Sequence, residues 1–148
     1  MNSITPVNIM LVEDDIADQK LIKASIKAQK IANELQITSN AEEALNILHY
    51  ISKSNGNLPC PDLILLDLNM PGMGGKEFLK NIKSDEKLKR IPVVVLTTSS
   101  SEKDVIDSYK LQAAGYIHKP VTLEEFKRIM IDIEGYWFLL CRLPQKDE

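Results

Sequence analysis

The sequence predicts an α/β fold, a doubly wound parallel sheet, and three observations carry it. Short runs rich in branched apolar residues recur along the 148-residue chain and end in polar or charged side chains. Stripes of apolar residues at helical spacing lie between them, and Pro or Gly often punctuates the ends of the runs. Apolar runs without polar alternation belong to strands covered on both faces, as in a parallel sheet. Open sheets of that kind bind ligands just outside the carboxyl ends of their strands, so functional residues are to be sought there.

The elements follow in order. Val7-Asn8-Ile9-Met10-Leu11-Val12 reads as a strand ending in Glu13-Asp14-Asp15. Acids favour the positive end of a helix, and Asp15 is the one expected to cap the helix that follows. From Asp18 to Gln29, Leu21, Ile22, Ser25, Ile26 and Ala28 form the stripe of that helix. Asn40-Ala41-Glu42-Glu43 is a capping box ahead of Ala44, Leu45, Ile47 and Leu48, with His49 on the helix surface. The loop Ser52 to Asn57 leads toward Leu63-Ile64-Leu65-Leu66, a buried strand bounded by Cys60-Pro61 and Pro71-Gly72 and closed by Asp67.

A charged loop, Ser84 to Arg90, joins the third helix to Ile91-Pro92-Val93-Val94-Val95-Leu96, which ends in Thr97-Thr98-Ser99. Ala114 to His118 is a short strand leading into Lys119-Pro120; alternation along it turns His118 away from the lysine's face. Thr122-Leu123-Glu124-Glu125 is a second capping box, after which Phe126, Ile129, Met130, Ile133, Trp137 and Leu140 recur at helical steps. The last helix is therefore expected to be extended. Ile131, Phe138, Leu139 and Cys141 fall off its stripe, so apolar residues nearly encircle its end.

Composition bounds the function. The length suits a single domain, 1–148, with 132–148 as a C-terminal extension. Eighteen basic and 21 acidic residues give a net charge of -3 with no basic block, which speaks against nucleic-acid binding. Two cysteines, Cys60 and Cys141, make neither a disulfide framework nor a metal motif. No signal-peptide pattern and no apolar stretch of about 18 residues is present, so a cytoplasmic protein without a membrane partner is expected.

In a doubly wound sheet of strand order 2-1-3-4-5, the first and third strands are neighbours where the winding reverses, which brings Glu13, Asp14 and Asp67 together. Two carboxylates about 4 Å apart repel by roughly 4 kcal/mol at an effective dielectric near 20, so three of them call for a cation. Oxygen ligands without His or Cys select a hard divalent ion, and a site open to phosphate oxygens suits Mg²⁺.

With Glu13-Asp14, Asp67, Thr97 and Lys119-Pro120 in this order and spacing, the chain resembles a two-component response-regulator receiver domain over residues 7–130. The resemblance implies a flavodoxin-like fold with five strands. It implies that Asp67 is the phosphorylated aspartate, that Glu13 and Asp14 are the acid pair that binds metal, and that Asn69 completes the Mg²⁺ shell through its main-chain carbonyl. Thr97 matches the hydroxyl switch residue, Tyr116 the aromatic that responds to it, and Lys119 the lysine on the other side of the phosphoryl group. The family's loop after Met-Pro usually carries an acid before its last glycine, whereas here it reads Gly72-Met73-Gly74-Gly75.

The same resemblance implies a sensor histidine kinase as phosphodonor and an unidentified downstream protein as target. The tail from Asp132 to Pro144 is similar to that of receiver-only regulators accompanying bacterial phytochromes, where the last helix supports a homodimer. That similarity makes Tyr136, Trp137 and Phe138 interface candidates and points to a kinase of phytochrome type. Two other readings stay open. One is a phosphatase with an aspartate nucleophile, although such enzymes carry a second aspartate where this chain has Asn69. The other is a receiver-shaped binding module that takes no phosphate.

Overall fold

The computed structural model describes residues 7–28, 33–98, 102–119 and 122–134. Strands and helices alternate as β1 (Val7–Val12), α1 (Ile16–Lys27), β2 (Asn33–Thr38), α2 (Ala41–Lys53), β3 (Leu63–Leu66), α3 (Gly75–Lys83), β4 (Val93–Thr97), α4 (Glu102–Lys110), β5 (Gly115–His118) and α5 (Leu123–Glu134). The five strands form one parallel sheet of order β2-β1-β3-β4-β5. Leu11 sits between Ile37 and Leu65, and Leu65 lies beside Val94, so β1 and β3 finish level with one another and β4 runs two residues further, to Thr97.

Alternation within each central strand explains its continuous apolar run. Met10, Val12, Ile64, Leu66, Val93 and Val95 face one way, against Leu48 of α2 and Phe78 and Leu79 of α3. Ile9, Leu11, Leu63, Leu65, Val94 and Leu96 face the other, against Ile22 and Ile26 of α1 and Phe126 and Met130 of α5. Two fully buried aromatics, Phe78 and Phe126, thus anchor opposite layers. Burying such a side chain contributes roughly 1.5–3 kcal/mol, which fixes the helices to the sheet.

The caps are where the sequence places them. Asp15 accepts from the backbone N–H of Asp18, Asn40 from that of Glu43, and Thr122 from that of Glu125. Boundaries differ in five places, one of them the end of α2, which runs on through Ser52 and Lys53, residues expected in the loop. Helix α1 starts two residues before Asp18, and its C-cap Ala28 is exposed, because the helix has turned that position to solvent by its last turn. Ile91 closes a turn on Leu88 and Pro92 precedes β4, since proline has no N–H to give the ladder. Ala114 also lies outside its strand, although its N–H bonds Val93.

Strand β2 is absent from the list of apolar runs because it lies at the sheet's edge. Leu35 and Ile37 pack inward while Glu34 and Gln36 are exposed, so it alternates. Helix α4 ends with Gln112 in the left-handed region, φ 68°, where Gln112 and Ala113 donate to the carbonyls of Tyr109 and Ser108. This is the hydrogen-bond pair of a Schellman close, a place that usually takes glycine. Helix α5 is described as far as Glu134; the expected extension, with Tyr136, Trp137, Phe138 and Cys141, lies outside the described residues. Among the described residues no helix is long and apolar enough to cross a membrane.

Candidate functional site

Each of the central residues at the carboxyl edge sits one ladder step past its strand. The N–H of Glu13 donates to Thr38 at 3.0 Å, that of Asp67 to Val12 at 3.0 Å, and that of Lys119 to Thr97 at 2.7 Å. The sheet's register therefore holds the backbone of all three, and the fixed backbone aims their side chains into one space. Glu13, Asp67, Thr97 and Lys119 are buried, while Asp14 and Asn69 are exposed.

The acids converge. One carboxylate oxygen from each of Glu13, Asp14 and Asp67 lies within 4.8 Å of the others. Three carboxylates without nitrogen or sulfur donors fit a hard divalent cation, and the exposed Asp14 leaves the group open to solvent on one side. Lys119 lies among them. Its ammonium donates to Glu13 Oε1 and, at 2.8 Å, to Asp18 Oδ2, and stands 3.7 Å from Asp67 Oδ2. The ammonium is thus tied directly to one of the acids that can hold metal.

Asn69 links the cluster to β4. Its backbone N–H donates to Asp67 Oδ1 at 3.3 Å, and its side-chain amide donates to Thr97 Oγ1 at 3.2 Å. Tyr116 pairs with Val95 across the β4–β5 ladder and packs, partly exposed, on the same core layer as Phe78. His118 is exposed while Lys119 is buried, as alternation requires. The structure thus brings Glu13, Asp14, Asp67, Asn69, Thr97 and Lys119 to one edge, while Tyr116 lies on β5 opposite Val95, two residues short of the level of Thr97. Asp18 was not among the candidates. A carboxylate three residues after a helix cap reads as helix-start chemistry, and only the fold brings it to Lys119.

Burial sets the electrostatics. Glu13 is removed from water and lies beside Asp67, so its carboxyl is pushed up to about 8 despite the hydrogen bond from Lys119. Burial works against the charge of Lys119 too, but hydrogen bonds to Asp18 and Glu13 outweigh it and push the ammonium up to about 12. The ammonium therefore keeps its charge, while burial makes the charged form of Glu13 costlier than that of an ordinary carboxylate.

Comparison with known proteins decides the family. The model of the response regulator receiver domain matches residues 9–131. The chain belongs to the response-regulator receiver family. The receiver is 42% identical to the response regulator Rcp1 of Synechocystis sp. over 139 residues, 94% of each chain. It is 35% identical to a probable methanogenesis regulatory protein, FilR2, of Methanothrix harundinacea, over 94% of this chain and 88% of that one. Among solved structures, the phosphorylated cyanobacterial phytochrome response regulator RcpA superposes with a TM-score of 0.86 at 40% identity, covering 95% of this chain and all of RcpA. The Mn²⁺-bound form of Rcp1 superposes with a TM-score of 0.83 at 42% identity, covering 95% and 100%. That Rcp1 structure carries Mn²⁺, and here Glu13, Asp14 and Asp67 form a group of acids that could hold a metal ion.

The receiver's unusual loop is held by other means. Gly74 caps α3 without a side chain to contribute, but the N–H of Met73 donates to Glu42 Oε1 of α2 at 3.0 Å. Gly72 has φ 75°, which glycine tolerates best. At Gly75 the backbones nearly touch: an added Cβ would lie 2.6 Å from the carbonyl oxygen of Asp67. Glu42 and this close approach restrain the loop where the usual acid is missing.

Burial of Glu13 makes a testable pH dependence. Its folded value lies above the ordinary 4.5, so the stability it contributes is complete below about pH 4.5 and is lost as pH rises through about 8. In chelator, urea unfolding of the wild type should show a component of stability falling across that interval. Glu13→Gln, which mimics the protonated acid, should remove that component; an unchanged slope in the variant would show that Glu13 is not its source.

Proposed function

We propose that this receiver is a phosphoacceptor that takes a phosphoryl group on Asp67 from the phosphohistidine of a sensor kinase and signals through changed protein contacts. The observation that carries the reading is the placement of Asp67: a buried carboxylate at the end of a central strand, clustered with two further acids and 3.7 Å from a buried ammonium. In the transfer, a lone pair of the Asp67 carboxylate forms the new O–P bond as the P–N bond breaks. The electron pair leaves on the imidazole nitrogen, which takes up a proton. Carboxylate nucleophiles are an established covalent strategy, and positioning and charge neutralisation supply most of the catalysis in such transfers.

The receiver's own residues divide the work. Glu13, Asp14 and Asp67, with the main-chain carbonyl of Asn69, would hold Mg²⁺, which supplies positive charge to the phosphoryl oxygens. Lys119 offers a second positive charge, its ammonium 3.7 Å from Asp67. The added phosphoryl group carries roughly 1.5–2 negative charges by analogy with other phosphorylated residues. It would draw the hydroxyl of Thr97 away from Asn69 and free space into which Tyr116 turns, altering the face of α4, β5 and α5 that a downstream protein reads. Asn69 stands where an aspartate-nucleophile phosphatase would need a second acid, and its amide is engaged with Thr97, which supports storage of the phosphoryl group over substrate turnover.

The similarity to Rcp1 and RcpA supports a stand-alone regulator, one receiver domain with 132–148 as its extension, working in the cytoplasm beside a kinase of phytochrome type. The sequence from Tyr136 to Leu140 is too apolar to stay in water on a monomer, and aromatic residues of this kind anchor interfaces, so a two-fold homodimer using Tyr136, Trp137 and Phe138 belongs to the same proposal.

Two measurements test it. With Mg²⁺ and phosphoramidate, intact mass should show one added phosphoryl group, and Asp67→Asn should show none; modification of that variant to the wild-type extent would refute the assignment of the acceptor. Sedimentation at micromolar concentration should give a dimer that Trp137→Glu converts to a folded monomer, whereas a monomeric wild type would refute the dimer.

A further inference from the structure

We infer that Asp18 is a positioning residue that acts through Lys119, holding the ammonium at the phosphoacceptor while its other partners change. The inference rests on the phosphoacceptor reading of Asp67. A lysine ammonium has three donors and no acceptor, and here three carboxylates surround it: Glu13, Asp18 at 2.8 Å and Asp67 at 3.7 Å. The three differ in what else they must do. Glu13 and Asp67 belong to the group that can hold a cation, and Asp67 is also the proposed nucleophile, so both exchange partners during the reaction. Asp18 is not in that group.

Asp18 also has a support that is independent of the acid cluster. It lies in the first turn of α1, its N–H is held by Asp15 Oδ1 at 3.0 Å, and α1 is seated on the sheet through the fully buried Ile22 and Ile26. Lysine is a point charge on a flexible four-carbon stem, and holding it in one place costs rotamer entropy that only a fixed partner offsets. Asp18 is such a partner. Anchored there, the ammonium faces Asp67 at a distance beyond a hydrogen bond, so it is directed at the acceptor without being committed to it. The bridge also spans 101 residues of sequence, tying the first turn of α1 to the segment that follows β5.

The test is a double-mutant cycle on the phosphorylation rate, with phosphoramidate and saturating Mg²⁺ read by intact mass, and with Mg²⁺ affinity measured by calorimetry. Lys119→Met serves as the second background because it keeps the buried stem. Asp18→Ala should slow the wild-type reaction about tenfold, the loss expected for one hydrogen bond to a charged group. Asp18→Asn, which keeps an oxygen acceptor, should slow it less. In the Lys119→Met background, Asp18→Ala should change the rate by about twofold at most, because there is no ammonium left to position. Mg²⁺ affinity should move less than the rate does. Equal slowing in both backgrounds would overturn the inference, since a damaged helix start acts without Lys119, and so would a variant as fast as the wild type. A wild type that accepts no phosphoryl group would overturn the phosphoacceptor reading first and this inference with it.

Discussion

Everything at the functional edge depends on the confinement of like charges. The sheet's register holds the backbones of Glu13 and Asp67, and with Asp14 they bring one carboxylate oxygen each within 4.8 Å of the others. Carboxylates at such distances repel by a few kcal/mol per pair at an effective dielectric near 20. Apolar burial on both faces of the sheet, from Phe78 and its neighbours on one side and Phe126 and its neighbours on the other, outweighs that repulsion. The receiver can therefore keep a site that electrostatics alone would disperse.

Lys119 is the internal answer to this repulsion, and an incomplete one. A single ammonium serves Glu13 and Asp18 directly and Asp67 from a greater distance, while Asp14 faces solvent. The remaining excess of negative charge would favour a divalent cation, and burial, with the charge of Asp67 beside it, raises the cost of ionising Glu13. Charge state, metal affinity and the position of Lys119 are consequently linked, so a change in one is felt by the others. That linkage is also why removing Lys119 cannot be a clean test of phosphoryl stabilisation alone: its loss strands Glu13, a member of the metal group, without its counter-charge.

Much of this was legible in the residues. A four-residue apolar strand closed by Asp67, an acid pair after a first strand, a hydroxyl after another and a lysine before proline all announce a sheet edge, because strand ends leave a chemical signature that local sequence carries. The caps at Asp15, Asn40 and Thr122 were legible for the same reason, being set within four residues. What could not be read depends on contacts far apart in the chain. Asp18 meets Lys119 across 101 residues, and Glu42 steadies Met73 across 31, neither of which any local pattern encodes. Strand β2 escaped because an edge position halves its apolar signal, and β4 was drawn too long because Ile91-Pro92 continues the composition of the strand, although Ile91 bonds back to Leu88 and Pro92, which accepts from Ile64, has no N–H to give.

Charge frustration among these acids calls for a divalent cation to complete the site. The most direct measurement is the unfolding free energy as Mg²⁺ is titrated at constant pH and ionic strength, for the wild type and for Asp14→Asn. The wild type should gain stability steadily with Mg²⁺, as expected for a ligand that binds only the folded state. Asp14→Asn should begin no less stable, having lost one repelling charge, and gain far less. A wild type indifferent to Mg²⁺, or a variant that gains as much, would contradict it.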